Sequence, residues 1–462
     1  MLLLFAATAY RDVTYWDVGE MDTVPWILGI AHPPGFPAYV MIGSVFSHVF
    51  AFGSVAFRMS LLSAISVSVA AWCVYRIVTD TSGDRVAGVL SAWTFAAGPI
   101  VWSRATRAEV HALEIAFIAA TLVVGLRWYR EGRARDLFFS AAFFGCAIAV
   151  HPVALVALPG MLVLVIHRLH EASLRHIVYA AAIAALCAIG WFAYLPLRSA
   201  YVSAHALDPV AALGMPGGAF WNYDRPSSPD GFLALISARD IDIHGAAAPG
   251  EPAASALQFA REFGFAGLAL VAGGWILMFR RDRWQAVALL AIACGGPLFA
   301  FGFHDESDRE RYLLTACLIG ACTAGIALAW LRARGFGIRV ASSAATLLLV
   351  VTLIWHGRVL FGQPHDERAR DQVTEILART PDDAIVISTW VLAPPLAYAA
   401  YVEHSAGHRT IVPAWYGDTA DVLARWMRER PVYVVGTPEG SVPGFRLEPL
   451  ATYTGLLRVV HE

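Results

Sequence analysis

The chain has 462 residues, with 34 basic and 36 acidic side chains and a formal charge of −2. This balance gives no reason to expect a nucleic-acid partner, which would need a basic face. Hydrophobic residues make up 58% of the chain and charged residues only 15%, whereas soluble domains are usually about 45–50% apolar. The composition therefore excludes an ordinary soluble protein and predicts an α-helical polytopic membrane protein.

The spans can be read from their length, because a hydrocarbon core about 30 Å thick needs roughly 20 apolar residues of helix. Residues 138–166 are too long for one ordinary span and short for two, and His151-Pro152 interrupts them. The six cysteines lie in apolar runs, where a thiol behaves as a small hydrophobe, so neither disulfides nor a zinc site is predicted. The eight clear spans are 58–78, 86–102, 110–128, 177–197, 257–279, 285–303, 312–331 and 340–361.

Arginine placement sets the orientation, because positive charge concentrates on the cytoplasmic side. The loop 127–135 carries four arginines, so we place it in the cytoplasm. A single helix over the interrupted stretch would then put the basic loops at 167–176, 280–283 and 332–339 outside. A hairpin of two short helices turning at His151-Pro152 keeps them all cytoplasmic, and we predict the hairpin.

The remaining segments complete a map of about eleven membrane helices. Residues 1–10 are apolar but about half a span long, which predicts a start further upstream or an incomplete first helix. Residues 38–57 leave no room for a turn before the next span, so we expect them to lie against the outer membrane interface.

The domain organisation follows from a change of pattern after residue 361. Polar residues and short apolar runs at 384–388, 410–412 and 431–435 predict a small α/β domain outside the membrane. We therefore predict a transmembrane catalytic domain at 1–361 and a periplasmic α/β domain at 362–462. The catalytic domain would carry two outer loops, at 11–57 and 198–256.

Unusual polar residues gather in the loops that this orientation puts outside. Ionisable groups that converge near the membrane from several loops predict one site. The residues concerned are Asp17, Glu20 and His32, then Arg104, Arg107, Glu109 and His111, then His151, then Arg198, Trp221 and Tyr223, and finally Arg309 and Arg311.

Some of these residues also fit structural roles. Asp17 and Glu20, three residues apart, fit a helix capping box, although Gly19 and Pro25 argue against a long helix there. His32 fits a stiff proline-rich turn as well as it fits a site.

The other structural alternatives concern the later loops. Arg104 and Arg107 each fit an anchor at the membrane surface. His151 fits a hydrogen-bonded histidine at a helix break better than a catalytic one. Trp221 and Tyr223 fit interfacial aromatic residues or a platform for a sugar ring.

This set of residue types suits group transfer from a lipid phosphate. A carboxylate on an outer loop can accept the proton of an attacking hydroxyl, and arginines can bind a phosphate through paired hydrogen bonds and offset its charge. A polyprenyl chain would lie between helices while its phosphate meets the arginines. We assign the donor phosphate to Arg104, Arg107, Arg198, Arg309 and Arg311, and substrate contacts to His32, Glu109, His111, Trp221 and Tyr223.

Several motifs resemble the family to which the transmembrane protein O-mannosyltransferases belong. They are Trp16-Asp17-Val18-Gly19-Glu20, the run 29–37 with His32-Pro33-Pro34-Gly35, Arg107-Ala108-Glu109-Val110-His111, and His151-Pro152. The resemblance covers residues 17–311 and implies a GT-C glycosyltransferase fold with a polyprenyl-phosphate-linked sugar donor. By that likeness Asp17 is the candidate base and Glu20 its neighbour in the acidic motif. The likeness leaves a metal ion open, because acidic pairs in some GT-C enzymes bind divalent cations, whereas relatives with protein O-mannosyl activity work without one. We predict no metal and no other cofactor.

The leading hypothesis is therefore an inverting hexosyltransferase of the bacterial inner membrane. It would move a hexose, with mannose as one candidate, to a hydroxyl of a protein, lipid or glycan on the periplasmic side. The alternatives are a transporter of lipid-linked sugars or solutes and a non-catalytic membrane assembly factor. A transporter usually places ionisable residues near the midplane in paired halves, whereas these polar residues gather towards one face.

Overall fold

The computed structural model describes residues 1–171, 173–215, 219–239, 251–301, 308–334, 362–438 and 440–462. They form two compact units, each built from three segments that are distant in sequence. Unit 1 contains Met1–Ala9, Leu61–Trp191 and Asp242–Gly362, and unit 2 contains Tyr10–Ser60, Phe192–Ile241 and Gln363–Glu462. The C-terminal segment thus shares unit 2 with parts of both predicted outer loops.

The secondary structure is mainly helical. The α-helices are α1 (Leu2–Thr8), α2 (Trp16–Ile27), α3 (Pro37–Val49), α4 (Val55–Ser82), α5 (Arg85–Ala97), α6 (Pro99–Ala105), α7 (Val110–Glu131), α8 (Ala134–Val150), α9 (Leu158–Arg168), α10 (Leu174–Phe192), α11 (Tyr194–Ala204), α12 (Pro209–Ala212), α13 (Pro229–Ser237), α14 (Glu251–Arg281), α15 (Arg283–Phe301), α16 (Leu314–Ala333), α17 (Arg368–Arg379), α18 (Ala393–Tyr401) and α19 (Ala420–Glu429). Short 3₁₀ helices occur at Pro152–Ala157, Arg309–Leu313, Gln363–His365 and Gly417–Thr419. The strands are β1 (Ile385–Ser388), β2 (Thr410–Pro413), β3 (Val432–Val435), β4 (Phe445–Ala451) and β5 (Leu456–His461).

Six helices in the described residues are long and apolar enough to cross a membrane, so the chain is a multi-pass membrane protein. They match six of the eight clear predicted spans: Val55–Ser82, Val110–Glu131, Leu174–Ala204, Ala253–Arg281, Arg283–Phe301 and Arg309–Ala333. The predicted span 340–361 lies outside the described residues. The total of about eleven membrane helices stays a prediction.

The predicted span 86–102 is broken, because α5 and α6 meet at an angle of 72°. Glu262 of α14 lies at the break, where its carboxylate oxygens accept the backbone N–H groups of Ile100 over 3.0 Å and Val101 over 3.2 Å. A Cβ atom at Gly98 would lie 2.1 Å from Glu262 Oε1, so glycine admits this carboxylate. Glu262 therefore satisfies backbone groups at the start of α6 that would otherwise be unpaired inside the membrane.

The stretch 138–166 forms two helices, α8 and α9, with a break at His151-Pro152. The ring of His151 lies 4.6 Å from that of His111, at the start of α7, and its Nδ1 accepts the N–H of Val153 over 3.0 Å. At the far end of α9, His167 Nδ1 is hydrogen-bonded over 3.0 Å to Tyr129, near the end of α7. The chain therefore returns to the end from which it left, as the predicted hairpin requires, and His151 is a histidine at a helix break.

Arginine-rich connections also meet at that end of unit 1. Arg281, at the end of α14, donates to the Thr81 carbonyl in α4 over 2.7 Å. Arg332, at the end of α16, donates to Asp84 before α5 over 2.6 Å. The loops that the arginine rule assigns to one side thus lie at one end of the bundle; that this side is the cytoplasm stays a prediction.

Unit 2 contains a five-stranded sheet in the order β2-β1-β3-β5-β4. Strands β2, β1 and β3 are parallel, with Ile385 beside Thr410 and Val432, and β5 pairs antiparallel with β3 and β4. The three apolar runs identified in the sequence are β1, β2 and β3, so the α/β prediction is confirmed. Strands β4 and β5 were not predicted, because they are partly exposed and lack a continuous apolar run.

Both faces of the parallel strands are covered, which explains their uninterrupted apolar sequences. On one face, Ile385 and Ile387 pack in a cluster with Trp426 of α19. On the other face, Val386 packs in a cluster with Leu396 of α18. The carboxyl end of β1 is thereby fixed in a three-layer arrangement.

The first predicted outer loop contains α2, although Gly19 and Pro25 were expected to oppose a long helix. That expectation was wrong, because α2 packs against α18 and glycine permits the contact. A Cβ atom at Gly19 would lie 3.0 Å from the Pro394 side chain and 2.4 Å from the Thr14 carbonyl oxygen. Helix α3 covers most of segment 38–57, whose place at the membrane interface stays a prediction.

Candidate active site

Helix α2 brings Asp17 and Glu20 to one face, since residues three apart on a helix are neighbours. The Asp17 side chain is 41% exposed and that of Glu20 is fully buried. The start of α2 has no side-chain cap, so the capping-box alternative is not what the structure shows. The two carboxylates therefore have different surroundings, one open to solvent and one enclosed.

Both carboxylate oxygens of Glu20 are hydrogen-bonded to His32. Its Oε1 accepts the backbone N–H of His32 over 2.8 Å, and its Oε2 is hydrogen-bonded to His32 Nδ1. The His32 carbonyl accepts the N–H of Gly35 over 2.8 Å, which closes the predicted proline-rich turn. These bonds fix the imidazole so that its Nε2 lies 4.0 Å from Asp17 Oδ2.

Asp17, Glu20 and His32 also form a cluster that could hold a cation. Their potential ligand atoms all lie within 4.8 Å of one another. Each oxygen of Glu20 is hydrogen-bonded to His32 and keeps a further lone pair, so these bonds are compatible with a cation as well as with a cluster that holds none. The expectation that the protein uses no metal stays a prediction.

Trp390 is a member of this cluster that the sequence analysis missed. Its indole Nε1 donates to Asp17 Oδ1 over 2.8 Å. The indole stacks on Phe220 with ring centroids 5.5 Å apart and an interplanar angle of 3°, and its centroid lies 6.0 Å from that of His32. The available signal was its position two residues after β1, because residues beyond the carboxyl ends of parallel strands commonly line sites.

The loop that carries Phe220 and Trp221 lies against the residues that precede the His32 turn. Ile30 donates its N–H to the Trp221 carbonyl over 3.3 Å, and a Cβ atom at Gly29 would lie 1.8 Å from the Phe220 carbonyl oxygen. The Trp221 ring packs edge-on against Tyr401 at 5.7 Å. Glycine at position 29 thus allows the loop to approach closely enough for Phe220 to reach Trp390.

The other residues assigned to this region make structural contacts. Tyr223 packs in a small apolar cluster with Ile30. Arg198 donates to the carbonyl of Leu28 over 2.5 Å and to that of Ile27 over 3.0 Å, so it caps the end of α2. Their assigned roles in substrate and phosphate binding stay predictions.

Asp22 is a further buried acid on α2. Its side chain is 1% exposed, and its Oδ1 finds no hydrogen-bond partner among the residues that the structure describes. Burial, and secondly the negative charge of Asp12, raise the pKa of the Asp22 carboxyl well above its usual range. Folding therefore makes this carboxyl harder to ionise.

In unit 1, Arg104 lies at the centre of a charge network and is fully buried. Its guanidinium donates to Glu109 over 3.0 Å, to Asp308 over 2.8 Å and to Glu310 over 3.3 Å. Arg107 donates to Glu109 over 3.2 Å and to Asp308 over 3.0 Å. Asp308 and Glu310 were not among the candidate residues of the sequence analysis, so their role as partners of Arg104 was missed.

The remaining predicted residues of unit 1 surround this network. Arg311 Nη1 lies 3.8 Å from Asp308, and Arg309 belongs to the same 3₁₀ helix. His111 Nδ1 is hydrogen-bonded to Glu114 Oε2 over 2.6 Å. The structure thus brings together the arginines of residues 104–111 and 308–311 within unit 1, and Asp17, Glu20 and His32 within unit 2.

Comparisons with curated proteins match the front of the chain. Residues 17–175 match the family described as Protein O-mannosyl-transferase TMEM260 N-terminal domain. Protein O-mannosyl-transferase tmem260 of Dictyostelium discoideum is 29% identical over 174 residues, which is 34% of this chain and 21% of the relative. TMEM260 of Mus musculus is 32% identical over 149 residues, which is 32% of this chain and 21% of the relative. The chain thus spans about a fifth of the length of these relatives.

Comparisons with solved structures cover nearly the whole chain. ArnT from Cupriavidus metallidurans in the apo state has a TM-score of 0.64 and 14% identity, over 99% of this chain and 95% of ArnT. ArnT bound to undecaprenyl phosphate also has a TM-score of 0.64, with 12% identity over 99% and 96% of the two chains. AglB from Archaeoglobus fulgidus, in complex with an inhibitory peptide and a dolichol-phosphate, has a TM-score of 0.56 and 13% identity, over 94% and 68%.

At these identities the solved structures show the fold alone, and the family match rests on the sequence of the front segment. Together they confirm the resemblance inferred from the Asp17 and His32 motifs. The chain has the GT-C fold of these structures, and its residues 17–175 are similar to the TMEM260 protein O-mannosyltransferase N-terminal domain.

Proposed function

We propose that the protein is a membrane glycosyltransferase that moves a hexose from a polyprenyl-phosphate donor to a hydroxyl acceptor, with Asp17 as the base. The observation that carries the proposal is the Asp17 carboxylate, half exposed and held by Trp390 beside His32, inside the segment that matches O-mannosyltransferases. The binding of undecaprenyl phosphate by ArnT and of dolichol-phosphate by AglB supports a lipid-phosphate donor for this fold.

In this mechanism Asp17 accepts the proton of the acceptor hydroxyl while the oxygen attacks the anomeric carbon of the sugar. The bond between that carbon and the phosphate oxygen breaks, and the lipid phosphate leaves with the bonding electrons. A single displacement of this kind inverts the configuration at the anomeric carbon. Glu20 has no exposed oxygen for the acceptor, so its part is to hold His32 next to Asp17.

The leaving phosphate needs positive charge, which we assign to Arg107, Arg309 and Arg311. Arg104 is buried among three carboxylates, and Arg198 is bonded to backbone carbonyls. We therefore give Arg104 and Arg198 the task of holding the site in shape as well as contributing charge.

Mannose is the proposed hexose, because the curated relatives are named as O-mannosyltransferases. The arginine-rich loops meet at one end of unit 1, and the positive-inside rule would make that end cytoplasmic. We accordingly place the reaction on the periplasmic face of a bacterial inner membrane, with a protein, lipid or glycan hydroxyl as the acceptor.

The test is transfer of labelled mannose from polyprenyl-phosphate-mannose by the purified full chain and by Asp17→Asn. We expect the variant to lose about 100-fold or more in rate, whereas Asp418→Asn, an exposed acid of the same unit, should keep the wild-type rate. An unchanged rate for Asp17→Asn would remove Asp17 from the mechanism. Movement of the lipid-linked sugar across proteoliposomes without any covalent product would favour a transporter instead.

A further inference from the structure

A cavity of about 480 Å³ opens at the arginine-rich end of unit 1. It lies where α4, α7, α14 and α16 end and α15 begins, so it sits at the level of a membrane interface. Its lining includes Thr81, Arg130, Met278, Arg281, Gln285 and Trp330. The volume falls within the range of about 300–1,000 Å³ that is typical of ligand sites.

Two guanidinium groups line this cavity. Arg130 Nη1 is buried and finds no hydrogen-bond acceptor among the described residues. Arg281 uses Nη1 to donate to the Thr81 carbonyl over 2.7 Å, which is one of the five N–H donors of a guanidinium. A buried cationic donor without an acceptor is unfavourable, so an anion in the cavity would satisfy a group that the described part of the chain does not.

The acid in the lining does not serve as that acceptor. Asp282 Oδ1 accepts the Tyr129 hydroxyl over 3.2 Å and the backbone N–H groups of Trp284 and Gln285, each over 3.0 Å. The carboxylate therefore caps the start of α15, where the helix dipole favours negative charge. The Asp282 carboxylate is therefore engaged by the start of α15, and we do not assign it as the partner of the two arginines.

The rest of the wall is apolar and partly open to the lipid side. It is formed by Leu277, Ile326 and Trp330, and the Trp330 side chain is exposed. A cavity with arginines at the interface level and an apolar wall beside them has the character of a lipid headgroup site between membrane helices.

We infer that this cavity binds the phosphate of an anionic phospholipid, with Arg130 and Arg281 on the phosphate and the acyl chains along Ile326 and Trp330. Arginine suits this task because its planar fork matches phosphate oxygens. The inference concerns residues that have no part in the proposed sugar transfer, so either can fail without the other.

The experiment measures retention of phosphatidylglycerol and phosphatidylcholine by the full chain in neutral detergent, using native mass spectrometry. We expect the wild type to retain phosphatidylglycerol preferentially and Arg130→Gln/Arg281→Gln to lose about fivefold in affinity for each arginine. Arg135→Gln, at the same end but 67% exposed, is the matched control and should keep wild-type retention. Equal losses in the control and the double variant would mean general charge attraction and would overturn the site.

A second variant keeps both charges and removes the space. Ala333→Trp places a large ring in the lining and should also abolish the preference for phosphatidylglycerol, even if the double variant fails to fold. Unchanged retention in Ala333→Trp would overturn the cavity as the site. The melting temperature is also compared with phosphatidylglycerol and with inorganic phosphate. If inorganic phosphate alone raises it as much as phosphatidylglycerol does, the lipid is overturned as the source of the phosphate.

Discussion

The indole N–H of Trp390 donates to Asp17 Oδ1 over 2.8 Å, although the two residues are 373 positions apart in the chain. Phe220 stacks on the same indole and holds its orientation, while Asp17 Oδ2 lies towards His32 Nε2. The carboxylate is thereby fixed by residues from the C-terminal segment, the long loop and the first loop. The C-terminal segment is therefore part of the candidate site of unit 2.

Removing this hydrogen bond should slow transfer without unfolding the protein. Trp390→Phe keeps a ring against Phe220 but loses the donor, so Asp17 is less well positioned for the acceptor hydroxyl. We expect kcat to fall about 10- to 100-fold, in line with about 1.5–3 kcal/mol for a hydrogen bond to a charged group, with little change in KM for the donor. Rates with labelled polyprenyl-phosphate-mannose measure it.

The control for that prediction is Trp415→Phe, which changes an exposed tryptophan of the same segment. It should keep the wild-type rate. If Trp390→Phe is as active as the control, the indole has no role in positioning the base.

Arg104 and Arg107 should differ in what they support. Arg104→Gln leaves Asp308 and Glu310 without their buried partner, so we expect a loss of about 3 kcal/mol in the free energy of unfolding. Arg107 is partly exposed, so Arg107→Gln should cost about 1 kcal/mol or less and act mainly on donor binding. Melting temperatures in detergent, together with KM for the donor, separate the two effects.

Equal melting temperatures for the two variants would contradict the central place of Arg104 in the network. Arg104 would then be a residue that can break its ion pairs with Glu109, Asp308 and Glu310 and bind phosphate directly.

The sequence was informative where the signal is local. Apolar length identified the spans, and continuous apolar runs identified β1, β2 and β3, because strands buried on both faces have no polar alternation. The cluster of Asp17, Glu20 and His32 could be predicted from the sequence for the same reason, because α2 and one tight turn connect all three residues.

Contacts between distant segments could not be predicted. Trp390 belongs to the cluster through a fold that joins residues far apart, and no spacing rule connects it to Asp17. Two of the partners of Arg104, Asp308 and Glu310, lie about two hundred positions away, in a run of charges that resembles a solvated turn. The break at Gly98-Pro99 has a local signal, because proline interrupts a helix, but the carboxylate of Glu262 that accepts the N–H of Ile100 comes from a later helix and has no such signal.

Chelation tests the expectation that no metal takes part. Glu20 is hydrogen-bonded to the backbone N–H and Nδ1 of His32, so Glu20 already has a role in orienting the imidazole that needs no cation. We expect transfer to continue at the wild-type rate after dialysis against EDTA. Loss of activity that Mg²⁺ or Mn²⁺ restores would show that the three residues rearrange into a metal site.

Asp22 should make the stability of the protein depend on pH. Burial and the charge of Asp12 raise its pKa in the folded state, so the folded protein binds this proton more tightly than the unfolded chain does. The contribution is then fully present below the unfolded pKa, near 3.9, and is lost as pH rises through the folded pKa. Unfolding free energy from this group therefore falls on going from acid towards alkaline pH.

Asp22→Asn removes the titration and keeps the shape of the side chain. We expect its melting temperature to match that of the wild type at low pH and to exceed it at pH 8, because the amide has no proton to lose in its buried position. Asp418→Asn, an exposed acid, should follow the wild-type curve. If Asp22→Asn is instead less stable than the wild type at pH 8, the carboxylate is charged and paired in the folded protein.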